Sequence, residues 1–204
     1  MPAADGEAPA VAGRRVTILA AARPLGPDDG GAVPEPLIPV LFPDDGRETF
    51  ALLDAALIPG LPDVLETSGL PFRCLYVGDL AEELRDRAPY LVRLTPDHGL
   101  TRRLFTEATP PAGLWAEDCG IFVLSTIPLD ALVAHFRRFT SVEVAGGKRM
   151  FLRFWSAPVM SAFAVHPDPD PLIAALLAPV TIVYRDGSSV AGPRMVALSA
   201  EGGV

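Results

Sequence analysis

A chain of 204 residues, half of them hydrophobic and a fifth charged, has the length and balance of one sizeable domain with tails, able to bury a core without disulfide staples. Its formal net charge of −8 argues against a general affinity for phosphate backbones, which rests on neutralising phosphates with Lys and Arg. No apolar run approaches the roughly eighteen residues that a membrane-spanning helix needs, so no membrane association is expected.

Eight of the 22 prolines fall between Pro2 and Pro43, among Gly30, Gly31 and the acids Asp28, Asp29, Asp44 and Asp45, a composition that predicts a flexible or draped segment over 1–47. Within it RRVTILAAA (14–22) resembles a twin-arginine export signal, but the apolar run ends at Arg23 with no adequate core before a cleavage site, and export is not expected. The main domain is read over 48–184. TFALLDAAL (49–57) is a continuous apolar run whose length fits a strand buried on both faces. LPDVLETSG follows as a helix with Pro62 in its first turn and Gly69 at its end. RCLYV (73–77) reads as a short strand, and Asp79 with Glu82 has the spacing of a capping box opening the helix LAEELRDRA. YLVRL (90–94) alternates as a strand, HGLTRRLFTE supplies a helix broken at Pro110-Pro111, and CGIFVLS (119–125) is a buried strand. TIPLDALVAHFRRF is the clearest amphipathic helix, with Thr126 as N-cap and Leu129, Leu132, Val133, Phe136 and Phe139 on one stripe. SVEVA and RMFLRFW flank Gly146-Gly147 as a hairpin. SAFAV is a short helix, HPDPDP an acidic turn, and Asp170-Pro171 open the helix PLIAALLA. TIVYRDGSSV and RMVAL close the chain as a hairpin turning at Asp186-Gly187, with 185–204 as its last strand and tail. The expected fold is a single α/β domain of α+β type, with a mixed, partly antiparallel sheet and helices packed on it.

Chemistry-bearing motifs are sparse. His98, His135 and His166 stand far apart, and Cys74 and Cys119 lack CxxC spacing, so neither metal nor disulfide framework is expected and no cofactor is called for. His135 reads as a packed helix histidine. His166 is close in sequence to Asp168 and Asp170, but proline alternation favours a solvated turn. Cys119 in DCG, Ser68, Ser125 and Ser156 are the nucleophiles on offer to a small hydrolase or transferase; none stands in a GxSxG elbow. GxGxxG and Walker loops are absent. One basic island, Arg137, Arg138, Lys148, Arg149 and Arg153 against the single acid Glu143, includes the stretch KRMFLRFW, whose composition imitates the basic aromatic strand of RNA-recognition sheets without their glycine pattern. In an extended strand Met150, Leu152 and Phe154 would form a core face, and Phe151, Arg153 and Trp155 a second face open to a stacked base, a protein partner or the protein's own helices.

FALLDAA, LPDVLETSGLPFRCLYVGDLAEEL, APYLVRL, GIFVLS, LVAHFRRF and RMFLRFW form an ordered series. In order and spacing it resembles the bacterial type VI secretion adaptors, or effector chaperones, that carry the domain of unknown function DUF4123. The resemblance spans about Phe50 to Val180. After the arginine-bearing strand the family has Tyr, Asp and Pro, whereas here Trp155, Ser156 and Ala157 precede Pro158, leaving Ser156 to cap the next helix without the charge. The chain is short after Val180, so a C-terminal lobe of longer relatives is expected to be absent or reduced. The resemblance implies a cytoplasmic, non-enzymatic adaptor that holds a toxin effector through the effector's N-terminal region and promotes its loading onto the valine-glycine-repeat spike protein, VgrG. Because Trp and Arg are enriched at binding hot spots, Arg137, Arg138, Arg153 and Trp155 are the candidate partner-binding residues; that Trp155 is core and the arginines merely solvated is the open alternative.

Overall fold

In a computed structural model, which describes residues 13–19, 23–26, 28–110, 112–144, 146–187 and 193–201, strand β2 (Glu48–Asp54) lies inside a seven-stranded sheet, and every residue after Glu48 in it is buried. On one side it pairs with β4 (Pro89–Arg93), which pairs with the edge strand β3 (Phe72–Cys74). On the other it pairs with β5 (Gly120–Ser125), followed by β8 (Thr181–Asp186), β9 (Arg194–Ala200) and β1 (Arg14–Ile18) at the far edge. The ladders are antiparallel; a lone bridge between Leu25 and Thr106 is parallel. The expected α+β domain is therefore present, with a mostly antiparallel sheet.

Antiparallel sheets commonly leave one face wet, but this one is covered on both, which is why its strands read as continuous apolar runs. Phe50, Leu52, Leu91, Ile121, Val123, Ile182, Tyr184, Val196 and Leu198 face one core, closed by α5 (Leu129–Arg137), α6 (Ala157–Val165) and α7 (Pro171–Leu177). The residues between them, Ala51, Leu53, Tyr90, Val92, Leu124, Val183 and Met195, face a second core. It is closed by α1 (Ile38–Leu41), α2 (Leu61–Ser68), α4 (Gly99–Phe105) and Trp115. Each large side chain so buried contributes roughly 1.5–3 kcal/mol.

The segment expected to be flexible or draped contains residues placed against the sheet. Residues 14–18 pair with β9, and Leu37 and Leu41 are fully buried. Residues 1–12, 20–22 and 27 of that segment lie outside the described residues, as do Pro111, Ala145 and residues 188–192 and 202–204. The pair of β8 and β9 is integral to the sheet, since β8 also pairs with β5 and β9 with β1.

Caps at three helix starts, α3 (Asp79–Glu83), α5 and α6, differ from expectation. The helix α3 starts after Gly78 with no side-chain cap bond, so Asp79 and Glu82 form no capping box and lie instead in the first turn, where the helix dipole favours acids. Thr126 is not the N-cap of α5: the proline at position 128 pushes Ile127 out of the helical region, and the helix begins one residue past Pro128. Asp170 does cap α7, accepting from the N–H groups of Leu172 and Ile173.

Candidate partner-binding site

Asp54, the last residue of β2, continues the Phe50–Leu52 face and is almost wholly buried. A buried carboxylate must be paired and hydrogen-bonded. Here Oδ1 accepts from the Ala56 N–H at 2.9 Å, and Oδ2 accepts from Trp155 Nε1 at 2.7 Å and from the Arg153 guanidinium. Trp155 is 1% exposed and packs edge-on against Phe154 at 5.3 Å. The reading of Trp155 as a partner contact is thereby corrected: it is core, and Arg153, half-exposed, is the outer end of an internal ion pair.

The two-faced alternation expected for RMFLRFW also fails. Strand β7 (Lys148–Phe151) pairs with β6 (Ser141–Val144) in a separate two-stranded sheet, and a turn closed by Ser156 N–H to the Arg153 carbonyl follows. The turn resets the period of two, so the adjacent Phe154 and Trp155 both go inward while Met150 is 48% exposed. Ser156 precedes α6 but donates to the Arg153 carbonyl. The carboxylate that meets the helix's first N–H, that of Ala157, comes from Asp118, at 3.2 and 3.3 Å. Burial pushes the Asp118 carboxyl up, opposed by that N–H and by Arg185 and Arg153.

Arg137 sends Nε and a terminal nitrogen to the carbonyls of Leu75 and Cys74, each at 3.0 Å. Arg138 bonds His135 and lies over the Phe139 ring, 5.4 Å from its centre. Arg149 donates to Ser141 Oγ. The basic island is therefore largely tied into the fold, although Arg137, Arg138 and Arg153 keep exposed surface. Among the described residues no group of three or more His, Cys, Asp or Glu is placed to hold a metal, and no helix is long and apolar enough to cross a membrane. His98 caps α4 and His166 bonds the Asp168 carbonyl. Cys119 is buried and its thiol is pushed up to about 12, chiefly by desolvation, the opposite of nucleophile activation. Ser68, Ser125 and Ser156 each donate their hydroxyl to a backbone carbonyl.

His135 is wedged between α5 and α7, Nε2 at 2.9 Å from the Leu176 carbonyl and Nδ1 at 2.6 Å from the Arg138 guanidinium. That pairing requires the neutral ring, a proton on Nε2 and a lone pair on Nδ1. Burial first, then Arg138, lower its pKa from 6.5. The unfolded chain therefore takes up the proton first: stability is complete above pH 6.5 and falls as pH drops from there through the lower folded value. Urea midpoints measured from pH 7.5 to 5 should decline in the wild type, and the part of that decline due to this ring should vanish in His135→Gln.

The exposed apolar residues carry a signal that sequence periodicity missed. Of seven exposed large hydrophobics among the described residues, four lie on two segments, 76–80 and 150–151, that meet through one ring contact. Val77 (60% exposed) and Leu80 follow β3; Met150 and Phe151 (63% exposed) lie on β7, and the Phe151 ring meets that of Tyr76 at 6.1 Å. Arg137, on the Cys74 and Leu75 carbonyls, and Arg153, an electrostatic neighbour of Tyr76, stand beside this contact. Asp54 was also legible in principle, as a lone acid inside an apolar run.

Fold and surface together define the class: an α+β domain whose sheet is covered on both faces, with a small hairpin outside it that presents the exposed Phe151 ring against Tyr76. The chain belongs to the family of the domain of unknown function DUF4123, matching it over residues 49–172. The match runs from β2 into α7 and contains the hairpin, Asp54 and Trp155; β1, β8 and β9 lie beyond it. No curated protein and no solved structure matches the chain significantly.

Proposed function

We propose that this chain is a cytoplasmic, non-enzymatic type VI secretion adaptor, binding a toxin effector through the effector's N-terminal region and promoting its loading onto the VgrG spike. The resemblance of the chain's ordered segments to effector chaperones supports the class of function. The observation that carries the reading is the exposed Phe151 ring set against Tyr76, with the exposed Val77 next to it in the chain. A two-stranded hairpin is marginal by itself, and this one spends its large side chains on solvent rather than on a core. Apolar surface gathered in one place and rimmed by charge is the usual mark of a protein–protein contact.

Co-expression of the chain with the toxin encoded beside it should yield a stable complex, and the toxin should lose solubility without it. Phe151→Glu should weaken that complex at least about thirtyfold, the effect of losing a hot spot, while moving the thermal midpoint little because Phe151 is exposed. A purified chain that binds neither the adjacent toxin nor the spike at micromolar concentration would sink the proposal.

A further inference from the structure

The edge strand β3 ends one side of the main sheet. Arg93 donates its N–H to the Pro71 carbonyl and Leu75 donates to the Pro89 carbonyl, so the odd-numbered residues of β3 turn their backbone groups toward β4. Those of Phe72 and Cys74 turn outward, where the sheet has no further strand among the described residues. Side chains occupy their carbonyls: Arg73 donates to Phe72 O and Arg137 to Cys74 O, both at the exposed surface. Leu75 O, opposite a proline that has no N–H to give, takes its donor from Arg137 as well. Arginines thus stand where a neighbouring strand's N–H groups would stand, a known way of blunting a sheet edge.

Three observations converge at this edge. Its outward carbonyls are held by exchangeable guanidinium groups. The strand runs directly into Tyr76, against whose ring Phe151 packs, and the exposed Val77. Two cations, Arg73 and Arg137, stand on the edge itself, in a chain whose net charge is −8. Arg73 is itself shared with Asp130 at 2.9 Å, a largely exposed pair that a competing carboxylate could replace at little cost.

We infer that the outer edge of β3 is a strand-addition site, where an extended segment of the partner polypeptide, apolar on one face and acidic on the other, pairs as an eighth strand. The inference rests on the adaptor reading and names its mode of binding. The segment's N–H groups take over the Phe72 and Cys74 carbonyls, and its carboxylates receive Arg137 and Arg73. Its apolar side chains continue onto Tyr76, Val77 and Phe151. Backbone pairing supplies affinity and the alternate side chains supply selectivity, as in other cases of strand addition.

The test uses the full chain and the N-terminal region of the toxin encoded beside it, first as a complex and then as short overlapping peptides. Hydrogen exchange should slow at the Phe72 and Cys74 amides when the complex forms. Cys74→Pro, which removes an outward N–H and leaves the β4 ladder intact, should weaken binding at least about tenfold, whereas Cys74→Ala should not. The peptide that binds should carry alternating apolar and acidic residues, and replacing its acids by lysine should abolish binding. If the complex forms but the two amides stay unprotected, the strand-addition site is wrong and the adaptor reading stands; this readout holds even should Cys74→Pro fail to fold. If no complex forms at all, both fall together.

Discussion

Asp54→Ala should cost about 3 kcal/mol of stability. The substitution strips the acceptor from three donors: the Arg153 guanidinium, Trp155 Nε1 and the Ala56 N–H. Arg153, half-exposed, can turn to water, which sets the expected cost at the lower end of what breaking a buried ion pair exacts. Trp155 cannot, since it is enclosed by the α5–α6 core, and its N–H is left buried without a partner. For a chain of this size the loss should lower the thermal midpoint by roughly 10 °C. Asp54→Asn, which keeps an acceptor but not the charge, should cost less, and Trp155→Phe should remove only the indole's share. A double-mutant cycle between Asp54 and Trp155 should give a coupling of about 1 kcal/mol or more. Calorimetry showing Asp54→Ala within about 0.5 kcal/mol of wild type would mean that the pair does not form.

Gly120→Ala should be more damaging still. Gly120 stands opposite Leu53 where β5 meets β2, and a Cβ there would overlap the Leu52 carbonyl oxygen and lie 3.0 Å from its carbonyl carbon. The obstacle is backbone, and it belongs to a strand held between two neighbours, so neither partner yields without breaking ladder bonds. An insoluble product, or a loss of at least about 3 kcal/mol, is expected. Gly147→Ala is the control: its φ is +74°, but a Cβ would meet only the end of the Glu143 side chain, so the cost should stay near 1 kcal/mol. Equal effects of the two substitutions, read as denaturant midpoints, would contradict the close approach of β2 and β5.

Much of the fold was legible wherever one residue's preference sufficed. The buried run ahead of Asp54, the stripe from Leu129 to Phe139, Asp170 as a cap and Gly69 at a helix end all rest on local geometry or on a period that no distant contact alters. Misreadings cluster where two local rules competed. Thr126 offers a cap, but the proline two residues on delays the helix; KRMFLRFW alternates on paper, but a turn at Arg153 breaks the alternation.

The candidate site divides the same way. Composition alone marks the basic island and the absence of a nucleophile elbow or phosphate loop, and the ordered segments mark the family. Whether Arg153 and Trp155 face a partner was undecidable from the chain, because the answer lies in Asp54, about a hundred residues away in sequence and brought to them by the end of β2. The same holds for the outward edge of β3 and for the meeting of Phe151 with Tyr76. Hydrophobic period and capping are properties of neighbours along the chain and are written in it. Burial of a charge, the open edge of a sheet and the gathering of exposed rings depend on which distant segments pack together, and only the tertiary structure decides them.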